Sequence, residues 1–329
     1  MGNPLSIRLS SGIYVSALIK KEGNEMGKHE SRKNKPILLV GNGINRLFAS
    51  EPENDDFFNV DKFRGEKEAE KRSLHAEISD SLSFPMRISV NYEGKEETVA
   101  EELTDFLKDK MTISKRKKEF LEDLLTLEVE NILTTNYSFE FEKTICTNPS
   151  IGKILNLYGY GKEGEISKKE KELGIYQYIK LGDRKKLWHI HGIATRKKSI
   201  ILGQYYYGYL LSQVIGYTSE LLRRWNSQND FYHHSWIDCF VSNDVHILGF
   251  ALDLAEIDLW WLLAYKKKHF EFTKVYFYSK GGDLDDNVRI LLCTYGVIIK
   301  EINTADYHDF YNQVITEIRN GIKMDRDVT

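Results

Sequence analysis

Two histidines separated by one residue, His189 and His191, stand in the segment Trp-His-Ile-His-Gly. A neutral imidazole with a pKa of about 6.5 accepts a proton readily at pH 7, so either ring suits general-base chemistry. On a strand, residues two apart share one face. The pair is therefore open to three interpretations: two metal ligands, a base beside a packing residue, or polar groups of the core. A zinc site needs further ligands, and because the sequence has no H-E-x-x-H or C-x-x-C pattern, we expect no metal.

An asparagine with possible catalytic use follows an apolar segment at residues 131–134, in the order Thr135, Asn136. In doubly wound sheets, ligands bind beyond the carboxyl ends of the strands, and there the Asn136 amide would point at a ligand. The alternative is that Asn136 caps the helix that carries Phe141 and Ile145. By itself, the pattern favours the cap.

A glycine turn, Gly41-Asn42-Gly43-Ile44-Asn45-Arg46, ends the apolar run Pro-Ile-Leu-Leu-Val. Glycines at a strand end permit positive φ and let backbone N–H groups approach a phosphate. The Arg46 guanidinium would suit a diphosphate. The third glycine of a dinucleotide fingerprint is absent, so a tight turn without a ligand is an equally good interpretation.

Two later segments repeat this arrangement of a strand followed by a polar turn. Gly249 and Phe250 end one apolar run, and a helix with Glu256 and Asp258 near its start follows. Acids in a first helical turn interact favourably with the helix dipole, which explains both residues without a ligand. Ser279-Lys280 opens a glycine-containing loop where the adenosine half of a nucleotide would fit.

These segments lie between apolar runs that have the length of strands buried on both faces. Helical patterns separate the runs, and the last helical pattern starts near Tyr307 and is expected to stop at Asn320-Gly321. The alternation predicts an α/β fold with a doubly wound parallel sheet. The predicted strands are Pro36–Val40, Asn131–Thr134, Leu187–Ile190, Ser199–Leu202, Val245–Phe250, Lys274–Ser279 and Val297–Ile302.

We expect one domain over residues 35–329, preceded by an N-terminal extension at 1–34 that is disordered or serves as an assembly arm. Two stretches interrupt the alternation: a helical insertion around 50–128 and an aromatic-rich insertion around 204–243. The tyrosines at 205–209 in the second would line either a ligand pocket or the core.

The net charge, the cysteines and the lengths of the apolar runs argue against several classes of protein. The chain of 329 residues has 46 lysines and arginines against 49 acids, a net charge of −3, which argues against binding nucleic acid or anionic lipid. Its three cysteines, Cys146, Cys239 and Cys293, lie far apart, so a disulfide framework is excluded and a reducing cytoplasm is expected. No apolar run reaches the ~18 residues of a membrane span, and no secretory signal is evident.

The order of the motifs resembles the sirtuin-like family. Gly41–Ile44 stands where that family has G-A-G-I, Asn136 where it has a strand-end asparagine, His191 where it has a histidine before glycine, and Gly249 where it has a glycine-rich strand end. The matched segments are short and lie between residues 36 and 303. The order G-N-G, N-Y, H-I-H-G is similar also to that of AbiH-type abortive-infection proteins.

One departure from the family is informative. Protein deacetylases of the family carry a four-cysteine zinc module between the histidine and the glycine-rich strand end, and here that stretch holds Cys239 alone. The chain therefore resembles the prokaryotic members that lack the module. The resemblance implies a Rossmann-like fold and an NAD⁺ glycohydrolase that releases nicotinamide and ADP-ribose in bacterial antiphage defence.

The resemblance also implies residue roles. His191 would be the base, Asn136 would orient the ribose or the attacking water, and His189 would support His191 from the same strand face. The residues expected to bind NAD⁺ are Gly41, Asn42, Gly43, Asn45, Arg46, Thr135, Gly249, Phe250, Ser279 and Lys280.

For partners, the resemblance implies a homo-oligomer and an activating defence partner or phage trigger, with no membrane and no nucleic acid. Two alternatives stay open. One is a non-catalytic module that senses NAD⁺ or ADP-ribose for a partner, and the other is a zinc-free deacylase.

Overall fold

The computed structural model describes residues 35–48, 82–92, 95–108, 112–146, 150, 153–154, 156–160, 174–227 and 234–327. The predicted N-terminal extension and residues 50–81 of the predicted helical insertion lie outside these ranges.

A single sheet of eight strands organises the described residues, in the order β3-β4-β5-β2-β1-β6-β7-β8. Six of them, from β5 to β8 in that order, are parallel, whereas β3 and β4 add antiparallel pairings beside β5. The strands are β1 (Ile37–Val40), β2 (Asn131–Thr134), β3 (Tyr158–Tyr160), β4 (Gln177–Leu181), β5 (Lys185–His189), β6 (Val245–Leu248), β7 (Val275–Lys280) and β8 (Ile298–Ile302).

The parallel part has the Rossmann strand order. From β1 the chain builds outward through β2 to β5, then returns to the other side of β1 with β6 and continues outward to β8. Renumbered among themselves, the parallel strands read 3-2-1-4-5-6, and ligands of such sheets bind where the order reverses. The predicted α/β fold is confirmed, and the reversal lies between β1 and β6.

Helices cover both faces of the sheet. One core cluster includes side chains of α2, α3, α4, α5 and α10, and a second includes side chains of α6, α7, α8 and α9. The helices are α1 (Gly43–Arg46), α2 (Phe84–Asn91), α3 (Glu96–Lys108), α4 (Lys115–Thr126), α5 (Glu140–Ile145), α6 (Gly203–Ser227), α7 (Trp236–Ser242), α8 (Ile257–His269), α9 (Asp286–Thr294) and α10 (Tyr307–Asp327). None of these helices has the length and apolar character that crossing a bilayer requires.

Strand β1 explains why an unbroken apolar run forms the centre of the sheet. Leu38 and Val40 belong to one core cluster, whereas Ile37 and Leu39 belong to the other. Successive side chains of a strand point to opposite faces, so a strand covered on both faces needs apolar residues at every position.

Several helices begin at residues whose side chains satisfy the first backbone N–H groups. Ser114 accepts a hydrogen bond from the Lys117 N–H before α4, and Asp285 accepts from Asn287 and Val288 before α9. Ser235 forms a capping box at the start of α7. The first residue of each of these helices is therefore set by a capping residue next to it in the sequence.

The structure corrects two sequence-based predictions and adds two strands. Ser199–Leu202 is not a strand: Lys197–Ser199 forms a 3-10 turn, and Ile201 N–H donates to the His191 carbonyl at 2.8 Å. Strands β3 and β4 were not predicted. Helix α10 does not stop at Gly321 but runs on to Asp327.

A buried lysine closes the end of α7. The Lys266 ammonium, on α8, donates to the carbonyl oxygens of Phe240 and Val241, each at 3.0 Å, and of Asn243 at 2.6 Å. Carbonyls in the last turn of a helix lack partners within the helix. Lys266 supplies those partners and thereby joins α8 to the end of α7, directly before β6.

Replacing this lysine tests the contact. Lys266→Met should lower the free energy of unfolding by about 2–4 kcal/mol, because it keeps the length of the side chain but leaves buried carbonyls unpaired. Lys267→Met is the control, since the Lys267 side chain is half exposed. Urea denaturation followed by circular dichroism measures both, and equal losses for the two variants would contradict this role.

Candidate functional site

The strand-end motifs meet at the carboxyl edge of the parallel strands. Ile190 N–H donates to the Thr134 carbonyl at 2.9 Å, and Ala194 N–H donates to the Tyr137 carbonyl at 3.0 Å. The segment that contains Asn136 therefore runs beside the segment that contains His189 and His191. Parallel pairing of β2 with β5 brings these two motifs together although they are far apart in the sequence.

The glycine turn after β1 packs against the end of β6, at the reversal of strand order. Gly43 N–H donates to the Gly249 carbonyl at 2.7 Å, and a Cβ on Gly41 would lie 2.4 Å from that same oxygen. Gly249 itself has a φ of +66°, which favours glycine. These glycines are needed for the close approach of two loops. Their predicted contact with a nucleotide stays a prediction.

His191 lies at the centre of a buried cluster with two carboxyl groups. Its Nε2 is 3.1 Å from Oδ2 of Asp258 and 3.6 Å from Oε2 of Glu256. The exposed fraction of the side chain is 2% for His191, 0% for Asp258 and 17% for Glu256. Tyr207 of α6 completes the cluster: its hydroxyl donates to Glu256 Oε2 at 3.4 Å, and its ring meets the His191 ring edge-on.

The two carboxyl groups change the basicity of His191. Burial by itself lowers the pKa of this imidazole, but the charges of Asp258 and Glu256 outweigh that effect and raise its pKa. Burial raises the pKa of Glu256 to about 7, against the opposing influence of His191. Glu256 therefore exchanges its proton near neutral pH, and His191 keeps its proton to a higher pH than an ordinary imidazole.

A metal ion is the other species that such a cluster accommodates. One ligand atom each from His191, Glu256 and Asp258 lies within 4.8 Å of the others. The 3.1 Å contact between His191 and Asp258 has the length of a hydrogen bond, so shared protons account for the geometry without an ion. The expectation that the protein needs no metal stays a prediction.

His189 belongs to a separate cluster on the other face of the sheet. Its Nδ1 is 2.6 Å from the backbone oxygen of Asn136, and its Nε2 is 3.0 Å from Oε1 of Glu142 on α5. Because a carbonyl and a carboxylate both accept hydrogen bonds, this arrangement suits a doubly protonated imidazolium. Burial lowers the pKa of His189, but the Glu142 charge outweighs it, and the net shift is upward.

The expectation that His189 and His191 share a strand face is therefore wrong. Strand β5 ends at His189, so the alternation of side chains does not extend to His191, which lies in the following turn. Gly192, with a φ of +95°, sits in that turn. His189 holds the backbone of Asn136 instead of supporting His191.

Asn136 does not cap a helix. Helix α5 begins at Glu140, with Phe139 at the N-cap position. The Asn136 side chain is buried, and neither its Oδ1 nor its Nδ2 has a hydrogen-bond partner among the described residues. An unpaired buried amide costs about 1–3 kcal/mol, so this side chain is the expected position for a ligand contact.

Asn45 and Asn42 bond to other protein groups. Asn45 Nδ2 donates to Asn42 Oδ1 at 2.9 Å and to Glu140 Oε1 at 2.8 Å, and the Ser138 hydroxyl donates to the same carboxylate oxygen. This network joins the glycine turn to the segment that follows Asn136. Asn45 therefore fixes the position of the turn.

The remaining predicted residues lie around the same edge without joining the histidine clusters. Thr135 and Phe250 are half-buried, and Arg46 is exposed. Ser279 and Lys280 end β7, where the Lys280 ammonium lies 5.6 Å from the centre of the Tyr307 ring. The hydrogen bond to Asp283 raises the pKa of Tyr307, and the charge of Arg46 opposes this shift, which places Arg46 near the same ring.

Four functional side chains were missed or assigned another role from the sequence. Glu256 and Asp258 were explained by the helix dipole, Tyr207 was one of several aromatics, and Glu142 was not considered. The one local signal is the spacing of Glu256 and Asp258 at a helix start after a glycine-ended strand. Nothing local indicates that α8 packs this helix start against His191.

No protein-family model and no curated protein matches the chain.

A pair of glycines tests the turn that carries His191. An added Cβ at Gly192 would lie 2.0 Å from the Ser199 carbonyl oxygen, whereas at Gly182, with a φ of +68°, it would meet nothing within 4 Å. Both alanine variants incur the cost of a positive φ, and Gly192→Ala should cost about 2 kcal/mol more. Urea denaturation compares the two, and similar losses would contradict the close approach.

Proposed function

We propose that this chain is an NAD⁺ glycohydrolase, an enzyme that cleaves NAD⁺ to nicotinamide and ADP-ribose. The observation that carries the proposal is the buried amide of Asn136, which has no partner in the part of the chain that the structure describes and lies in the segment beside the turn holding His191. The Rossmann strand order supports it, because a nucleotide would bind where that order reverses. The resemblance of the motif order to sirtuin-like proteins supports NAD⁺ as the nucleotide.

Cleavage of the ribose–nicotinamide bond requires few protein groups. Nicotinamide leaves the ribose as a neutral pyridine from a cationic precursor, so cleavage needs a held ribose, a placed water and a base to take the proton of that water. In the proposal, the Asn136 amide bonds the ribose or the water, and the cluster of His191 with its neighbouring carboxyl groups supplies the base. A positioned base contributes about 10²–10⁴-fold to such a reaction.

The rest of the nucleotide would extend along the carboxyl edge of the sheet. In the proposal, the Gly41–Gly43 turn and Arg46 hold the diphosphate, and Ser279 and Lys280 lie on the adenosine side. A role in bacterial antiphage defence, a homo-oligomer and an activating partner in the cytoplasm are parts of the proposal that rest on the resemblance alone.

The burial of His191 favours a second candidate, a non-catalytic module that binds NAD⁺ or ADP-ribose and signals to a partner. With an exposed fraction of 2%, this imidazole is nearly closed to solvent. The sensor predicts saturable NAD⁺ binding with no release of nicotinamide.

Nicotinamide release from NAD⁺ by the purified full-length chain tests the proposal, with and without lysate from phage-infected cells as a source of trigger. His191→Ala and Asn136→Ala should each lower kcat by about 10²–10⁴-fold, because each removes a group that acts on the ribose or water. Asn312→Ala is the matched control for the asparagine, since Asn312 is exposed on α10.

Full activity in both variants would contradict the roles of His191 and Asn136. Saturable NAD⁺ binding by calorimetry with no nicotinamide release, with or without lysate, would contradict the glycohydrolase and support the sensor.

A further inference from the structure

Glu256 is the one member of the His191 cluster that reaches the protein surface appreciably. The exposed fractions of 17% for Glu256, 2% for His191 and 0% for Asp258 order the three groups from the solvent inward. The contact distances from His191 Nε2, 3.6 Å to Glu256 and 3.1 Å to Asp258, place both carboxyl groups at the same nitrogen. A water that enters from solvent meets the Glu256 carboxyl before the imidazole.

The groups that face Glu256 come from four parts of the chain. His191 lies in the turn after β5, Asp258 follows on α8, and Tyr207 donates from α6. Asp253 and Asp258 raise the pKa of Glu256, while the charge of His191 and the hydrogen bond from Tyr207 lower it. Tyr137, between β2 and α5, is also near: burial raises its pKa, and the charges of Glu256 and Asp258 raise it further.

We propose that Glu256 is a further catalytic residue, the group that takes the proton from the attacking water, with Asp258 as a positioning residue that holds His191 behind it. The inference rests on the proposed glycohydrolase function. It adds the Glu256 carboxylate to the two groups that the sequence motifs indicated, the His191 imidazole and the Asn136 amide.

In the proposed hydrolysis, the water oxygen bonds to C1′ of the ribose, and the electron pair of the C1′–N bond leaves with nicotinamide as a neutral molecule. One proton of the water stays on the new C1′ hydroxyl, and the other passes to the Glu256 carboxylate. The proton returns to solvent before the next turnover. No oxidant, reductant or metal takes part.

The contacts give each neighbour a role in this route. Asp258, fully buried and 3.1 Å from Nε2, fixes the ring of His191. The Tyr207 hydroxyl stays protonated, because burial raises its pKa well above the ordinary value, and so it remains a donor to Glu256. The acceptor must be unprotonated, so activity should rise with pH through about 7, where Glu256 loses its proton.

The first test is Glu256→Gln, which keeps the shape of the side chain but removes its basicity. With NAD⁺ as substrate, kcat should fall about 10²–10⁴-fold with little change in KM, and the rise of activity with pH should disappear. Glu119→Gln is the matched control, because Glu119 is an exposed residue of α4. Adding sodium formate to Glu256→Ala should restore part of the activity, which a merely structural role would not allow.

Two substitutions beside Glu256 should move the pH profile in opposite directions. Tyr207→Phe removes a hydrogen bond that lowers the pKa of Glu256, so the rise should shift to higher pH. Asp253→Asn removes a charge that raises that pKa, so the rise should shift to lower pH. Thermal unfolding by circular dichroism checks that all variants are folded at the assay temperature.

The outcomes separate this inference from the proposed function. A wild-type protein that releases no nicotinamide overturns both. An active wild type overturns only the inference if Glu256→Gln is equally active with an unchanged pH profile, or if formate fails to rescue Glu256→Ala while that variant is folded. Loss of activity in EDTA, with recovery on adding Mn²⁺ or Zn²⁺, would likewise overturn it and assign the cluster to a metal.

Discussion

The parallel pairing of β1 with β2 on one side and β6 on the other is the constraint on which the rest of the structure depends. It directs the carboxyl ends of three strands to one edge. It also makes β1 the point where the strand order reverses, because β2 and β5 lie on one side of β1 and β6 to β8 lie on the other. The glycine turn after β1 must then pass closely over the end of β6, which explains glycine at both places. The site forms where those strand ends meet.

A second constraint is the pairing of buried charge. Unpaired charges are costly inside a protein, and this edge of the sheet buries two histidines and several carboxyl groups. Helix α5 presents Glu142 to His189 on one face, and α8 presents Asp258 to His191 on the other. Each histidine thus ties a helix to the end of β5. The same pairing that anchors the helices raises the basicity of both imidazoles.

Asn136 departs from this rule of satisfied polar groups. Its backbone oxygen is held by His189, while its side-chain amide finds no partner among the described residues. His189 and Glu142 fix the backbone of Asn136, whereas the described residues leave its side chain unpaired, and the proposed function assigns this amide to a ligand. This contrast, rather than any motif alone, distinguishes Asn136 from the capping residues at Ser114, Ser235 and Asp285.

The sequence by itself determined the α/β class and most of the parallel strands, because β1, β2 and β6 are short apolar runs that only a two-sided sheet can bury. It also indicated His191 and Asn136, since each follows such a run. It could not indicate β3 and β4, whose antiparallel pairing depends on a neighbouring strand. It favoured a helix cap for Asn136, whereas the structure places Phe139 at the N-cap of α5. Only the tertiary structure decided that Glu256 and Asp258, 65 or more residues after His191, close on its imidazole. That contact depends on α8 packing against the sheet, and packing between distant segments leaves no local pattern.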